Sequence, residues 1–192
     1  DGIRNYKVTG VQTCALPISN HELAQVRSEG ILKDGVSLVD AFDEGLEFLY
    51  GDEATEVRVA LGRFVGAYPL AVKCSNGVLC AHSLPSPRVM ETFDPTVLDR
   101  ALEPKDLRSG GAAHQMVWGR YLSQNLADKL AQAWGVGQFV LGHQPADYGY
   151  ETQAQTVLIL ASDHDRGMAL PMDLSQPVQD RDALIAQLVP LM

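Results

Sequence analysis

Asn76-Gly77 constrains this chain more than any other pair, because apolar segments flank it on both sides: residues 70–74 (Leu-Ala-Val-Lys-Cys) and 78–81 (Val-Leu-Cys-Ala). Such a pair supplies the positive φ that a tight hairpin turn needs, so the flanks read as paired strands. A two-residue loop would set Cys74 opposite Leu79 and Lys73 opposite Cys80. Around the hairpin the period changes. Val39, Phe42, Leu46 and Leu49 recur at three and four within 36–50 and predict an amphipathic helix ending near Gly51. Asp52 is placed to cap a second helix, whose stripe of Val57, Leu61, Phe64 and Val65 is expected to be buried before Pro69 ends it. Leu122, Leu126, Leu130 and Trp134 predict a helix closing at Gly135. Residues 138–141 and 157–161 read as strands, 168–174 as a neighbouring strand and 183–189 as a closing helix. The proline-rich stretch 83–111 reads as irregular chain with one helical turn near 97–102. Strands interspersed with helices imply an α/β layered sandwich, a mixed sheet flanked by helices.

Composition narrows the partners. Hydrophobic residues make up 46% of the 192 and charged residues 20%, ordinary for one globular domain with a real core. Twenty-four acidic against 15 basic residues leave a formal charge of −9, which argues against a nucleic-acid backbone as partner. A phosphorylated substrate stays open, since a bound divalent metal inverts the local field. No apolar run is long enough to cross a bilayer. Cys74 and Cys80 do not face each other across the turn, so reduced thiols and a cytoplasmic location are expected.

The chemistry-bearing residues are Asn20, His21, His82 and His143. His82 ends the second hairpin strand, and His143 follows a strand and Gly142. Imidazole is the commonest protein metal ligand, and an amide oxygen can complete a mixed sphere. Alone, His82 reads equally as a satisfied strand-end side chain, whereas His143 is more suggestive, since Gly142 and Gly149 permit tight backbone turns. His114, in a glycine-rich loop, reads as solvated. Residues 162–165 (Ser-Asp-His-Asp) read as a surface turn that could rim a site.

Four segments in order then resemble the calcineurin-like metallophosphoesterases of the phosphoprotein-phosphatase type. Ser19-Asn20-His21-Glu22 resembles their Gly-Asn-His-Glu motif, with serine for glycine. Residues 80–87 resemble the segment in which a ligand histidine precedes Gly-Gly-Leu-Ser-Pro, without the two glycines. Residues 116–120 resemble a tryptophan-containing segment, and 142–150 the later Gly-His motif with its downstream Gly-Tyr. The resemblance implies a metallophosphatase-type sandwich and hydrolysis of a phosphomonoester, in the manner of serine/threonine phosphatases, by hydroxide activated between two divalent metals (Mn²⁺, Fe²⁺/Fe³⁺ or Zn²⁺). It makes Asn20, His82 and His143 ligands of the second metal, His21 the general acid, Glu22 an orienting residue and Arg120 a phosphate-binding cation. A phosphorylated protein or small phosphoester would be the substrate. A nucleotide or dinucleoside polyphosphate phosphohydrolase, or a non-catalytic domain keeping the fold, are the alternatives.

The same resemblance implies an Asp-x-His and a Gly-Asp-x-x-Asp-x-Gly motif for the first metal, and neither occurs in this sequence. At most one metal would be well liganded, the first strands and helices of the sandwich would be missing, one sheet edge would be open, and the chain alone would be inactive. Residues 1–18 resemble the conceptual translation of a short-read sequencing index primer. The chain is thus expected to divide into a non-native, disordered leader (1–19) and the C-terminal portion of one catalytic domain (20–192).

Overall fold

The computed structural model describes the backbone of residues 6–8 and the whole of residues 17–33 and 35–191. In chain order the elements are β1 (Tyr6–Val8), α1 (Asn20–Arg27), β2 (Leu32–Lys33), β3 (Val36–Ser37), α2 (Leu38–Tyr50), α3 (Ala54–Val65), β4 (Ala71–Cys74) and β5 (Val78–Ala81). There follow α4 (Ala112–Trp118), α5 (Gln124–Trp134), β6 (Gln138–Leu141), β7 (Tyr150–Thr152), β8 (Val157–Leu160), β9 (Met168–Ala169), α6 (Arg181–Ile185) and β10 (Val189–Pro190). The main sheet has six strands in the order β1-β4-β5-β6-β8-β7. The run β5-β6-β8 is parallel, while β4 and β7 are antiparallel to their neighbours β5 and β8. The chain is a mixed α/β fold. Among the described residues no helix is long and apolar enough to cross a membrane.

Side-chain alternation along the strands separates the two faces of this sheet. Leu79, Phe139, Leu141, Val157 and Ile159 join Leu23, Met116, Leu126 and Leu130, from α1, α4 and α5, in the main core. Val72, Cys74, Val78, Cys80 and Val140 face the other way and are covered by Met172 and Leu174. Trp134 closes the core at the end of α5, its indole N–H donating to Pro95 O at 2.8 Å while its ring meets Phe139 edge-on. Gly135 stops α5 at φ +60°, as its position after the periodic run predicts.

Several expectations need correction. The hairpin register is Val72↔Cys80 and Lys73↔Leu79, one residue away from the two-residue-loop pairing. Gly77 takes the left-handed conformation (φ +88°) at the end of a three-residue loop, with its N–H on Cys74 O at 3.1 Å. A one-residue slip moves a side chain to the opposite face. Cys74 and Cys80 therefore share a face as free thiols. The hydrogen bond from the Cys80 thiol pulls Cys74 down to about 7, and the same contact together with burial pushes Cys80 up.

Asp52 lies in a 3₁₀ turn (Gly51–Glu53) and does not cap α3, whose first residue follows Glu53 without a side-chain cap. Only Ala54 of α3 is buried, and Phe64 is 61% exposed. This helix packs on α1 and α2; Val57, Leu61 and Val65 are half-buried and Val65 reaches the main core, while Phe64 stays open. The turn expected at 97–102 is instead Pro95–Leu98, started by Asp94, which accepts from Thr96 N. Residues 168–174 do not extend the main sheet. Pro171 cannot donate to a ladder, and only Met168–Ala169 pairs, antiparallel with β10. The closing helix begins earlier, at Arg181, because Asp180 caps it through Ala183 N.

β1 runs parallel to β4, along the edge expected to be open, and Ile18 is buried with its N–H on Pro69 O at 2.8 Å. An open edge offers a row of backbone donors and acceptors and accepts an extended segment whatever its side chains. Residues 1–5 and 9–16, on which the disordered-leader expectation mainly falls, lie outside the described residues.

The irregular stretch is held by ions. Asp106, 3% exposed, receives Arg100 through both oxygens (2.6 and 2.8 Å) and Glu103 N at 2.7 Å. Arg100 also reaches Asp94 at 2.7 Å. The Thr96 hydroxyl and then Arg100 hold Asp94 down to about 2, and Arg100 lowers Asp106 as well. Both carboxyls sit below their unfolded value of about 3.9, so their contribution is complete above about pH 4 and is lost as pH falls through each lowered value, about 2 for Asp94. Asp106→Asn is expected to lower stability by about 2 kcal/mol at neutral pH. It should also flatten the acid limb of a Tm-against-pH curve; an unchanged limb would show that the network is not stabilising.

Candidate functional site

The site is assembled where parallel strands end. Ala81 of β5 pairs with Leu141 of β6, so His82 and His143 leave the same sheet edge side by side. Gly142 N donates to His82 O at 3.1 Å and ties the two exits together. The carboxyl ends of parallel strands are where open α/β sheets place their ligands. The third residue comes from α1. Ser19 caps that helix through His21 N (3.1 Å) and Glu22 N (3.5 Å), while the Glu22 carboxylate accepts from Ser19 N at 2.9 Å. This reciprocal capping box sets Asn20 at the first helical position, 2% exposed and directed at the histidines. The segment Asn20–Glu22 is thus a helical turn and not a loop, and Glu22 serves its start.

His82 Nε2 lies 2.9 Å from Asn20 Oδ1 and 2.9 Å from His143 Nδ1. Burial, His21 and Arg120 pull His82 down to about 4; burial, His82, Arg120 and His21 pull His143 down to about 3. Both rings are neutral at pH 7. Their proton accounting does not close. If His82 Nε2 carries its proton it satisfies one neighbour and not the other; if His143 Nδ1 donates to it, Asn20 Oδ1 faces a lone pair. A cation would satisfy all three atoms at once. Metal–ligand bonds of about 2.0–2.2 Å at right angles set donors about 3 Å apart, close to the spacing here. His82 Nε2 thus stands from Asn20 Oδ1 and from His143 Nδ1 at the spacing that donors sharing one divalent cation would have. His143 holds φ +66°, a left-handed conformation uncommon for a non-glycine residue, and its Nε2 is buried without a hydrogen-bond partner. Among the described residues no group of three or more His, Cys, Asp or Glu side chains is placed to hold a metal ion; the set here has two histidines and an amide.

Asn20 and His143 line a cleft of about 590 Å³, with His21, Trp118 and Arg120 among its walls. Trp118 meets His143 edge-on, ring centroids 6.5 Å apart. Ser83 Oγ donates to Gly119 O, locking the His82 segment to the Trp118–Arg120 segment. Gln153 accepts from Leu122 N at 2.9 Å, donates to Arg120 O at 3.2 Å and donates to Gln144 Oε1, so the Arg120 backbone is braced on the residue after His143.

No protein-family profile matches this chain, and no curated protein matches it at a significant level.

Asn20, His82 and His143 converge, with His21 and Arg120 at the wall. The run 162–165 divides: Ser162 and Asp163 line the cleft, whereas His164 Nε2 turns to Ala146 O at 2.9 Å. His114 is not simply solvated. It is half-buried against Trp118, with ring centroids 5.6 Å apart, and burial lowers its pKa. Lys33 is a cleft-lining cation that sequence reasoning passed over; it sits on the small β2–β3 hairpin. The available signal was Asp34-Gly35, an Asp-Gly turn pair, with Gly35 at φ +81°.

Proposed function

We propose that this chain carries the second-metal half of a metal-dependent phosphoester hydrolase of the calcineurin-like type. The observation that supports it is the meeting of Asn20 Oδ1, His82 Nε2 and His143 Nδ1, whose spacing and proton shortage suit a divalent cation. Asn20, His82 and His143 would hold that metal, Mn²⁺ being the natural first trial. Bound metal supplies Lewis acidity, lowering the pKa of water and neutralising charge on phosphoryl oxygens. The chain's own groups do the rest. Arg120 and Lys33, on separate walls, draw the phosphate in and offset the charge that spreads over its oxygens in the transition state. His21, exposed at the mouth, holds a proton for the departing oxygen. Trp118, Ile31 and Leu38 exclude water around the ester.

Two measurements test this. The chain as it stands should bind one Mn²⁺ by calorimetry, with Asn20→Ala weakening binding at least tenfold. Supplied with the Asp-x-His and Gly-Asp-x-x-Asp-x-Gly segments upstream, it should hydrolyse an aryl phosphate only with added Mn²⁺. Metal binding without hydrolysis in that extended protein would favour the non-catalytic alternative. Comparing a phosphopeptide with a dinucleoside polyphosphate would then separate the two hydrolase readings.

A further inference from the structure

The hairpin β4–β5 carries a pair of sulfurs that the chemistry of the cleft does not use. Val72 pairs with Cys80, so Cys74, two residues further along β4, is the diagonal neighbour of Cys80 on the same side of the sheet. On that side, away from the main core, Val72, Cys74 and Val78 form a small cluster with Cys80 packed against it. Both cysteines are free, and the Cys80 thiol donates a hydrogen bond to the Cys74 sulfur. Strand pairing thus holds the two sulfurs in contact, at a high effective concentration towards each other. The same hydrogen bond pulls Cys74 down to about 7, which leaves a substantial thiolate fraction at neutral pH. Their cover is irregular chain. Met172 and Leu174 lie over them, between β9 and α6, and Ser75 Oγ donates to Leu174 O at 3.4 Å. Cys74 is 7% exposed and Cys80 half-buried, a degree of burial that admits a small molecule when the cover shifts and keeps a bulky one out.

We propose that Cys74 and Cys80 form a dithiol site that reacts with hydrogen peroxide, Cys74 as the attacking sulfur and Cys80 as the resolving one, and closes to a disulfide that staples β4 to β5. The Cys74 thiolate attacks one peroxide oxygen, the O–O bond breaks, and the other oxygen leaves as hydroxide and takes up a proton to become water. Cys74 is then a sulfenic acid. The Cys80 sulfur attacks the Cys74 sulfur, and the sulfenic hydroxyl leaves with the Cys80 proton as a second water. Two thiols lose two electrons in all, and one peroxide gains them. The new bond lies beside the strand that ends at His82 and uses none of its ligand atoms, so the proposal is independent of what the cleft hydrolyses.

The test uses the full chain carrying Cys14→Ser, which removes the remaining cysteine. It is treated with hydrogen peroxide under native conditions and mapped by peptide mass spectrometry. The expected product is a link between Cys74 and Cys80 within one molecule, with the loss of two hydrogens, and dithiothreitol should reverse it. Adding Cys80→Ser should stop the reaction at a sulfenic acid on Cys74, captured by dimedone. Adding Cys74→Ser should leave Cys80 a thiol at the same dose. Two intact thiols after a dose that fully oxidises free cysteine would overturn the proposal, as would a link that forms only between molecules or only in urea. Dimedone capture at Cys80 in the Cys74→Ser chain would overturn the assignment of attacking and resolving sulfurs.

Discussion

Gly119→Ala is expected to unfold the site and to remove a large part of the chain's stability, on the order of 3 kcal/mol or more. A Cβ at 119 would be driven into the Leu84 carbonyl oxygen and within 2.9 Å of its carbon, and both are backbone atoms that cannot swing aside. Residues 83 and 84 directly follow His82, and the Ser83 hydroxyl already bonds Gly119 O. Leu84 is fully buried, so the segment has no room to retreat. The displacement would reach the His82 imidazole on one side and Trp118 and Arg120 on the other. Gly62→Ala is the control. It lies within α3 with nothing within 4 Å of its Cβ, and alanine should stabilise that helix by about 1 kcal/mol. Urea melts of both variants check the contrast. A Gly119→Ala protein that melts like the parent would refute the close approach of these two segments.

His143 offers the second large effect, and it separates stability from function. His143→Ala and His143→Gly should both abolish Mn²⁺ binding, a loss of at least a hundredfold, because each removes one of the converging donors. They should differ in stability. Both lose the ring's contact with Trp118, but only glycine relieves φ +66°, so His143→Gly should be the more stable by about 1 kcal/mol. Calorimetry gives the first quantity and denaturant midpoints the second. Retained Mn²⁺ binding in either variant would sink the ligand assignment. Equal stability of the two would mean that the left-handed backbone at 143 stores no strain.

Much of this could be read along the chain, because the signals are local. The hairpin around Asn76-Gly77, the helix closed by Gly135 and the strands that deliver His82 and His143 follow from periodicity and turn chemistry that act within a few residues. The misreadings share a cause. Register at Gly77 turned on whether the loop held two residues or three, a choice that the flanking strand pairing makes. Phe64 looked buried because amphipathicity shows which face of a helix is apolar, not whether anything covers it. Lys33 was passed over because its hairpin is short, and its place at the cleft depends on how β2 and β3 sit against distant chain.

By itself, then, the sequence determined which residues could bind a cation and which elements carry them. Imidazole and amide chemistry belong to single side chains, and helix and strand periods to short windows. Only the tertiary structure decided that Asn20, His82 and His143 meet. Their separation in the chain, 62 and 61 residues from His82, is closed by the pairing of β5 with β6 and by the capping of α1 over their ends. Non-local packing also left Leu49 of α2 and Phe64 of α3 exposed, which the period of each helix does not show.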